Sequence, residues 1–186
     1  MLLASSSPQR REILAKLGIS FEVEVPGIEE LSGGDPAVEV VANARRKAAA
    51  VAGARLADDP ATMIIACDTD VALDGRALGK PADAAEARSY LDRMSGRAHE
   101  VLSGLVVVRD GEELAGLERT TVVFKRLSEA EKERYVNFGE WRGRSGGYAI
   151  QTLGSTLVER LEGSLSNVVG LPVGLLAELA PELFMH

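Results

Sequence analysis

An aspartate that follows an apolar run is the side chain of this 186-residue chain best placed to do chemistry. Residues 63–67 read Met-Ile-Ile-Ala-Cys, and Asp68 comes directly after them. The run predicts a buried strand that ends at Asp68, and ligands of α/β sheets usually bind where such strands end. A carboxylate in that place can hold a divalent metal ion or accept a proton from water. Capping of the next turn explains this segment equally well when it is taken alone.

The N-terminal segment has the features of an anion site. Residues 5–11 read Ser-Ser-Ser-Pro-Gln-Arg-Arg, which predicts a helix with serine at its cap and proline in its first turn. The free N–H groups of a helix N-terminus favour a phosphate, and serine hydroxyls and arginines add further donors. Taken alone, the segment is better explained by a plain serine cap followed by two solvated arginines, Arg10 and Arg11.

Two lysines are further candidates for binding a phosphate. Lys80 follows a glycine, but its spacing from Gly75 is one residue too short for a P-loop, and Pro81 stands where that motif needs Ser or Thr. Lys80 can still reach a phosphate as a point charge, or it can be an exposed surface lysine. Lys47 falls on the partly apolar stripe of a predicted helix, so it either enters a polar site or extends to water, which is the commoner outcome.

Residues 146–151, Gly-Gly-Tyr-Ala-Ile-Gln, have the composition of a nucleobase contact. Paired glycines let a backbone approach a ligand closely, and Gln151 can make two hydrogen bonds to a base edge. The alternative is a glycine-bent strand that begins a hairpin. In either case we expect residues 148–151 to form a strand.

The charge balance limits the classes of partner. The formal net charge of −7 argues against non-specific binding to DNA, RNA or anionic lipid, so cations that bind an anionic substrate must be gathered locally. No stretch approaches the roughly 18 consecutive apolar residues of a membrane span. The N-terminus reaches arginine too early for a secretory signal. A single cysteine, Cys67, fits a reducing cytosol.

The elements that must position these residues alternate between strand and helix in the first half, and hairpins follow in the second. This order predicts one α/β domain over residues 1–186, with a mixed sheet and helices on its faces. Turn pairs occur at residues 74–75 and 110–111, and Ser128 with Glu131 predicts a capping box. We predict strands over residues 2–4, 21–25, 63–67, 101–108, 114–124, 148–151 and 156–161, and helices over 8–17, 36–56, 84–94, from Ser128 and from Pro172 to before Pro181.

Taken in order, these segments and several others resemble the Maf family over nearly the whole chain. The matching segments are Ser5-Ser-Ser-Pro-Gln-Arg-Arg11, Gly27-Ile-Glu-Glu30, Lys47-Ala48, Asp68-Thr69, Gly79-Lys-Pro81, Ser95-Gly-Arg-Ala-His99, Gly146-Gly-Tyr-Ala-Ile-Gln151 and Asn167-Val-Val-Gly-Leu-Pro172. Each segment is weak alone, but the combination is specific.

The resemblance implies an elongated α/β fold, with a twisted mixed sheet flanked by helices and a cleft between two lobes. It also implies a cytoplasmic nucleoside triphosphate pyrophosphatase that uses Mg²⁺ or Mn²⁺ and is often a homodimer. In that family's pattern Asp68 is the proton acceptor and Glu30 is a metal-linked or supporting carboxylate, so that a divalent ion would be held by Asp68 or Glu30. The triphosphate-binding set is Ser7, Arg10, Lys47 and Lys80.

The resemblance also bears on the preferred base. Thr69 and Gln151 fall where the family discriminates between bases, and the residues here are similar to the branch that acts on dTTP and UTP. Gln9 departs from that branch, which commonly has arginine there, and Arg10 and Arg11 place the arginine pair one residue later. This departure leaves 7-methyl-GTP or another modified nucleotide as an alternative substrate. A nucleotide-binding regulator of septum formation without catalysis is a second alternative.

These assignments predict one spatial arrangement. Arg10, Lys47 and Lys80 should converge on the β- and γ-phosphates beside the helix N-terminus at Ser7, and Asp68 should face the same hollow. Asp68 would take a proton from water, directly or through a divalent ion. The water would attack the α-phosphorus, and pyrophosphate would leave without a covalent intermediate.

Overall fold

The computed structural model describes residues 1–185, and His186 lies outside the described residues. Within this range the chain forms seven strands and six α-helices, together with three short 3-10 turns. In chain order the elements are β1 (Leu2–Ala4), α1 (Pro8–Lys16), β2 (Glu22–Glu24), α2 (Pro36–Asp58), β3 (Ile64–Leu73), β4 (Arg76–Ala77), α3 (Ala84–Met94), β5 (Ala98–Arg109), β6 (Glu112–Phe124), α4 (Glu129–Phe138), β7 (Val158–Glu162), α5 (Leu165–Val169) and α6 (Val173–Leu179).

All the strands belong to one mixed sheet. Its order is β2-β1-β3-β5-β6-β7, and the short β4 pairs with β3 outside this path. The pairs of β1 with β2 and with β3 are parallel, whereas β3, β5, β6 and β7 pair antiparallel in sequence. The predicted α/β fold, a mixed sheet flanked by helices, is confirmed.

Alternation along β1 and β3 sends apolar side chains to both faces of the sheet. Leu3, Ile65 and Cys67 pack with Leu14 of α1 and Leu176 of α6 on one face. The residues between them, Leu2, Ala4, Ile64 and Ala66, pack with Ala44, Ala48 and Val51 of α2 on the other face. Both faces are covered, which explains why residues 63–67 are continuously apolar rather than alternating.

A further cluster occupies the opposite end of the long strands. Val71 and Leu73 of β3, Val101 of β5 and Phe124 of β6 pack there with residues of α3 and α4, including Leu91 and Tyr135. The core is therefore divided along the length of β3, and residues 68–70 lie between its two parts. A polar segment of a central strand is tolerated where it separates two apolar clusters.

Several element ends follow from local chemistry. The Asp35 side chain accepts from the backbone N–H of Ala37 at the start of α2, and Ser128 with Glu131 forms the predicted capping box of α4. Asp74 and Asp110 have φ angles of 54° and 51° in the turns that join β3 to β4 and β5 to β6. Aspartate followed by glycine suits such left-handed turns.

Three sequence predictions are corrected by the structure. Strand β3 does not end at Asp68 but continues to Leu73, because its ladder with β5 runs without interruption from Ile64 to Ala72. Residues 148–151 are not a strand, since Tyr148 is extended without a partner strand and the chain then turns. The strand expected over residues 156–161 begins at Val158, after a 3-10 turn.

No helix in residues 1–185 combines the length and the apolar character needed to cross a membrane.

Candidate active site

A gap along one edge of β3 opens into a cleft. Strand β1 stops where Ala4 pairs with Ala66, and β4 pairs with β3 only from Ala72 onward. Between these points the edge of β3 faces a cleft of about 370 Å³. Because β1 is absent there, side chains from both faces of β3 reach the same space. The other lining residues are 5–10, 25–28, 143–145, 148–151 and 168–170, together with Glu30, Lys47, Val71, Lys80 and Val101.

Asp68 is held by two side chains of α2. Its Oδ1 lies 2.6 Å from the Lys47 ammonium, and its Oδ2 accepts a hydrogen bond of 3.0 Å from the Asn43 amide. Residues 43 and 47 are one helical turn apart, so they lie on the same face of α2. Asp68, Asn43 and Lys47 are all buried residues, and Asp68 and Lys47 line the cleft. The carboxylate is therefore fixed in orientation and still reaches the open space.

Glu30 joins this cluster from the loop before α2. Its Oε1 lies 2.5 Å from the same Lys47 ammonium, so Lys47 bridges Glu30 and Asp68. The Glu30 side chain remains 45% exposed, whereas that of Asp68 is 12% exposed. Two carboxylates thus converge on one cation at the wall of the cleft.

A glycine explains how α2 comes so close to β3. Gly104 of β5 pairs directly with Asp68, and a Cβ at Gly104 would lie 2.3 Å from the carbonyl oxygen of Val40 in α2. No side chain fits at that distance, so glycine is required for the helix to cross the sheet at this level. The close approach brings Asn43 and Lys47 within hydrogen-bonding distance of Asp68.

Arg10 lines the cleft as a buried cation whose hydrogen bonds go only to neutral oxygens. Its guanidinium donates to the Gly170 carbonyl at 2.8 Å and to the hydroxyls of Ser5 and Thr69 at 3.1 Å each. The residue is only 8% exposed. A buried charge normally needs an opposite charge, and within residues 1–185 no carboxylate pairs with this one. The site therefore favours an anion next to Arg10.

The start of α1 also faces the cleft. Ser7 occupies the N-cap, but its hydroxyl donates to the Gln9 amide oxygen at 3.1 Å, and in the described chain it accepts no backbone N–H. The first N–H groups of α1 are thus left available to a ligand, as an anion site requires. Ser7 and Gln9 line the cleft. Arg11 does not line it, because its guanidinium turns back to the Ser6 carbonyl.

Thr69 lines the cleft from the face of β3 opposite to Asp68. Its hydroxyl lies 2.8 Å from the hydroxyl of Ser103 and accepts from Arg10. These bonds connect β3, β5 and α1 beside the gap. Thr69 therefore places a small polar group next to the buried guanidinium.

Lys80 is exposed and lines the cleft on a loop braced by the glycine segment. The Gly146 N–H donates to the Gly79 carbonyl at 2.7 Å. Gly146 and Gly147 have φ angles of 69° and 68°, and a Cβ at Gly146 would lie 2.7 Å from the Val71 side chain. Gly146 thus approaches β3 closely, and the close approach of the glycine pair to a ligand stays a prediction.

Tyr148 closes the inner wall beside these glycines, and Gln151 lies exposed at the rim. The Tyr148 hydroxyl lies 2.8 Å from Nε2 of His99, whose ring also packs edge-on against Phe124. Burial lowers the pKa of His99 from 6.5 to about 4 and raises the pKa of Tyr148. Both groups are therefore neutral at pH 7. Within the described residues, Nδ1 of His99 has no hydrogen-bond partner.

Asp70 lies two residues after Asp68 on β3, and its carboxylate has a different role from that of Asp68. Its carboxylate accepts from the Ser145 hydroxyl, which also accepts from the Val71 N–H at 3.0 Å. Burial raises the pKa of the Asp70 carboxyl. The pair ties the segment of residues 143–151 to the gap in the sheet edge.

The structure brings together most of the side chains selected from the sequence. Those that line the cleft are Ser7, Gln9, Arg10, Glu30, Lys47, Asp68, Thr69, Lys80 and Gln151, and Arg11 is outside this lining. Sequence reasoning missed Asn43 and the pair of Asp70 with Ser145. The spacing of Asn43 one turn before Lys47 was the available signal, whereas the Ser145 contact has no local pattern.

The donor set around Asp68 is suited to a hard cation. Glu30 and Asp68 supply carboxylate oxygens, which Mg²⁺ and Mn²⁺ prefer. Across residues 1–185, no three His, Cys, Asp or Glu side chains converge into a metal cage. Two carboxylates beside a phosphate site are the usual protein share of a magnesium site that is completed by phosphates and water.

Comparison with known proteins adds to this geometry. Residues 1–183 match the family described as Maf-like protein. A relative from Deinococcus radiodurans is 44% identical over 180 residues, which are 96% of this chain and 90% of that protein. One from Myxococcus xanthus is 45% identical, covering 94% and 87%, and one from Pyrococcus abyssi is 40% identical, covering 96% and 94%. Each of the three is named dTTP/UTP pyrophosphatase.

Proposed function

The chain belongs to the Maf family, and we propose that it hydrolyses nucleoside triphosphates to the monophosphate and pyrophosphate. One observation carries the proposal. The carboxylate of Asp68 and the cations Arg10, Lys47 and Lys80 line the same cleft, although the chain as a whole is acidic. This combination is suited to an anionic substrate that is attacked by water. The names of the relatives support the same activity.

The polyphosphate is expected to lie where the cations meet the start of α1. Transfer of a phosphoryl-type group is catalysed mainly by positioning and by stabilising negative charge. Arg10 supplies a buried guanidinium without a carboxylate partner in the described chain, and Lys80 supplies a mobile point charge from the rim. Lys47 can exchange one of its two carboxylates for a phosphate oxygen. The free N–H groups beside Ser7 complete the set.

Asp68 is proposed as the proton acceptor. Each carboxylate oxygen has about two acceptor positions, and the contacts with Lys47 and Asn43 use one on each oxygen. The remaining positions can bind the water that attacks the α-phosphorus. Asp68 takes the proton of that water, the new P–O bond forms, and pyrophosphate leaves with the electron pair of the broken bond. No covalent enzyme intermediate is needed.

Glu30 and Asp68 are the residues that would hold a divalent ion, because they are the carboxylates that converge on one point of the cleft. Such an ion, when bound, neutralises phosphate charge. Lys47 occupies the space between these two carboxylates, so it must move toward the phosphates when their oxygens are used for a metal. The mobility of a lysine side chain suits that exchange.

Thr69, Gln151 and Gln9 are proposed to contact the nucleoside. The dTTP and UTP in the names of the relatives make pyrimidine nucleotides the expected substrates. The Gln9 side chain is tied to Ser7, so it offers an amide where the related branch commonly has an arginine. This difference makes 7-methyl-GTP the substrate to compare directly.

A panel of nucleoside triphosphates tests the proposal. Released pyrophosphate is measured for dTTP, UTP, dCTP, GTP and 7-methyl-GTP, with Mg²⁺ or Mn²⁺. The expected result is stoichiometric monophosphate and pyrophosphate, with the highest kcat/KM for dTTP or UTP. If kcat/KM were highest for 7-methyl-GTP, the proposed reaction would stand but the preferred substrate would be 7-methyl-GTP. Nucleotide binding without pyrophosphate release would instead favour a non-catalytic regulator.

A further inference from the structure

We infer that Asn43 is a positioning residue that holds Asp68 and the loop carrying Glu30 in one arrangement. The kinetic part of this inference rests on the proposed function, whereas its structural part does not. Asn43 does not line the cleft, and we do not expect it to touch the substrate. It acts through Asp68 and through the backbone of Leu31.

The side-chain amide of Asn43 uses both of its N–H donors and its oxygen in hydrogen bonds to β3 and to the loop before α2. Its Nδ2 donates to Asp68 Oδ2 at 3.0 Å and to the Leu31 carbonyl at 3.1 Å, and its Oδ1 accepts from the Leu31 N–H at 2.7 Å. The residue is 3% exposed. A buried amide with both donors and its acceptor used is strongly oriented, because any rotation would leave buried polar atoms unpaired.

These contacts fix the loop as well as the carboxylate. Leu31 directly follows Glu30, and the two hydrogen bonds with Asn43 hold the Leu31 backbone in both directions, as a strand partner would. The Glu30 side chain, 45% exposed, would otherwise be held in place mainly by its ion pair with Lys47. The position of Glu30 relative to Asp68 is therefore set by α2 through residues 43 and 47 together.

Asn43 differs from Lys47 in what a nucleotide does to it. Lys47 is a cation, so bound phosphates compete with Asp68 and Glu30 for its ammonium. Asn43 is neutral and lies behind the carboxylates, so phosphates do not compete for it. When Lys47 turns to the substrate, Asn43 remains the side chain that orients Asp68. Replacing Asn43 should therefore lower kcat, because Asp68 acts in the chemical step, and should leave substrate binding nearly unchanged.

Two variants separate the contributions of the amide. Asn43→Leu keeps the number and branching of the side-chain heavy atoms and removes all three hydrogen bonds. Asn43→Asp retains an acceptor for the Leu31 N–H but removes the donors and places a second carboxylate beside Asp68. Arg45→Ala is the matched control, because Arg45 lies on the same helix and, among residues 1–185, its ion pair is with the exposed Glu113. Melting temperatures identify any variant that is merely unfolded.

The first measurement is hydrogen exchange of residues 27–34 in the full chain without ligand. Asn43→Leu should accelerate exchange at the Leu31 amide by about fivefold or more, Asn43→Asp should do so less, and Arg45→Ala should have no effect. The second measurement is steady-state kinetics with dTTP. Removing a group that orients a functional side chain typically lowers activity by about ten- to a hundredfold. We therefore expect both Asn43 variants to lose that factor in kcat, while KM stays within about twofold of the wild-type value.

Each contrary result overturns a stated part. Unchanged exchange in folded Asn43→Leu would refute the connection to the loop. A kcat equal to that of Arg45→Ala, despite faster exchange, would reduce Asn43 to a structural residue. Absence of pyrophosphate release from the wild-type chain would contradict the proposed function and leave the exchange result to decide the connection.

Discussion

The two ends of the cleft are built differently. At the carboxylate end, Glu30, Lys47 and Asp68 line the cleft and Asn43 lies behind them, and these residues come from a long helix, a central strand and one short loop. At the aromatic end, Ser145, Tyr148 and Gln151 line the cleft and His99 contacts Tyr148 from behind, so this end comes largely from residues 143–151, which have little regular structure. Opposite charges pair directly at the first end, whereas at the second end neutral groups pair with each other, as His99 does with Tyr148, or with a single carboxylate, as Ser145 does with Asp70.

The difference shows how each kind of group tolerates burial. At the carboxylate end the buried charges of Lys47 and Asp68 are compensated by direct pairing, which requires accurate positioning by rigid elements. At the aromatic end burial keeps His99 uncharged, because its pKa is lowered to about 4. Paired charge suits chemistry on a polyanion, and a neutral wall suits a nucleobase. The following predictions sharpen or break this contrast.

The largest effect is expected at the carboxylate end. Asp68→Asn removes the proton acceptor, so kcat should fall by about 10²–10⁴-fold, the usual contribution of general acid–base catalysis. Nucleotide affinity, measured by calorimetry, should change little because the cations remain. If Asp68→Asn released pyrophosphate at the wild-type rate, Asp68 would not be the proton acceptor, and the proposed difference between the two ends would be wrong.

At the aromatic end, His99 should affect stability rather than turnover. The His99 pKa is near 6.5 in the unfolded chain and about 4 in the folded chain, so the unfolded chain takes up a proton first as the pH falls. Stability is therefore lost between about pH 6.5 and 4, by about 3 kcal/mol from this group. Urea unfolding of the wild type and of His99→Phe at several pH values measures it. Equal pH dependence in the two proteins would show that His99 is not the group responsible.

Lys80 is a cation attached to the aromatic end through Gly79. Lys80→Ala should lower kcat/KM by about ten- to a hundredfold, the range of a hydrogen bond to a charged group. Arg76→Ala, an exposed cation outside the cleft lining, is the control and should leave kcat/KM unchanged. Equal kinetics for both variants would assign Lys80 to the solvated surface.

The smallest effect is expected for Gln151. Its side chain is exposed at the rim, so Gln151→Ala should change the ratio of kcat/KM between dTTP and GTP by about fivefold, at the low end of a base contact. Thr152→Ala, the exposed neighbour, is the control. An unchanged ratio together with a lower kcat would move Gln151 from base recognition to the chemical step.

The carboxylate end was also the end that the sequence predicted better. The cap of α2 and the apolar run of β3 are local patterns, and these two elements carry Lys47 and Asp68. The end of β3 was misjudged because the polar residues 68–70 resemble a strand terminus, whereas pairing with β5 continues through them. Such pairing depends on a distant strand, which no local pattern contains.

The aromatic end was predicted less well for a physical reason. Residues 148–151 have the composition of a strand, but the positive φ angles of Gly146 and Gly147 turn the chain away from any partner. The bond between Asp70 and Ser145 joins residues 75 positions apart in sequence. Asn43 was missed although it lies on α2, because its importance depends on where that helix crosses the sheet.

Gly104 gives this site a determinant that has no side chain. Any larger residue would separate α2 from β5, and the damage would be felt at Asp68 on the neighbouring strand. A survey that seeks functional positions by their reactive groups would pass over it, and a stability screen would classify it as a packing position. Engineers who wish to retune the chemistry of this protein should therefore treat the spacing between helix and sheet at Gly104 as part of the catalytic design.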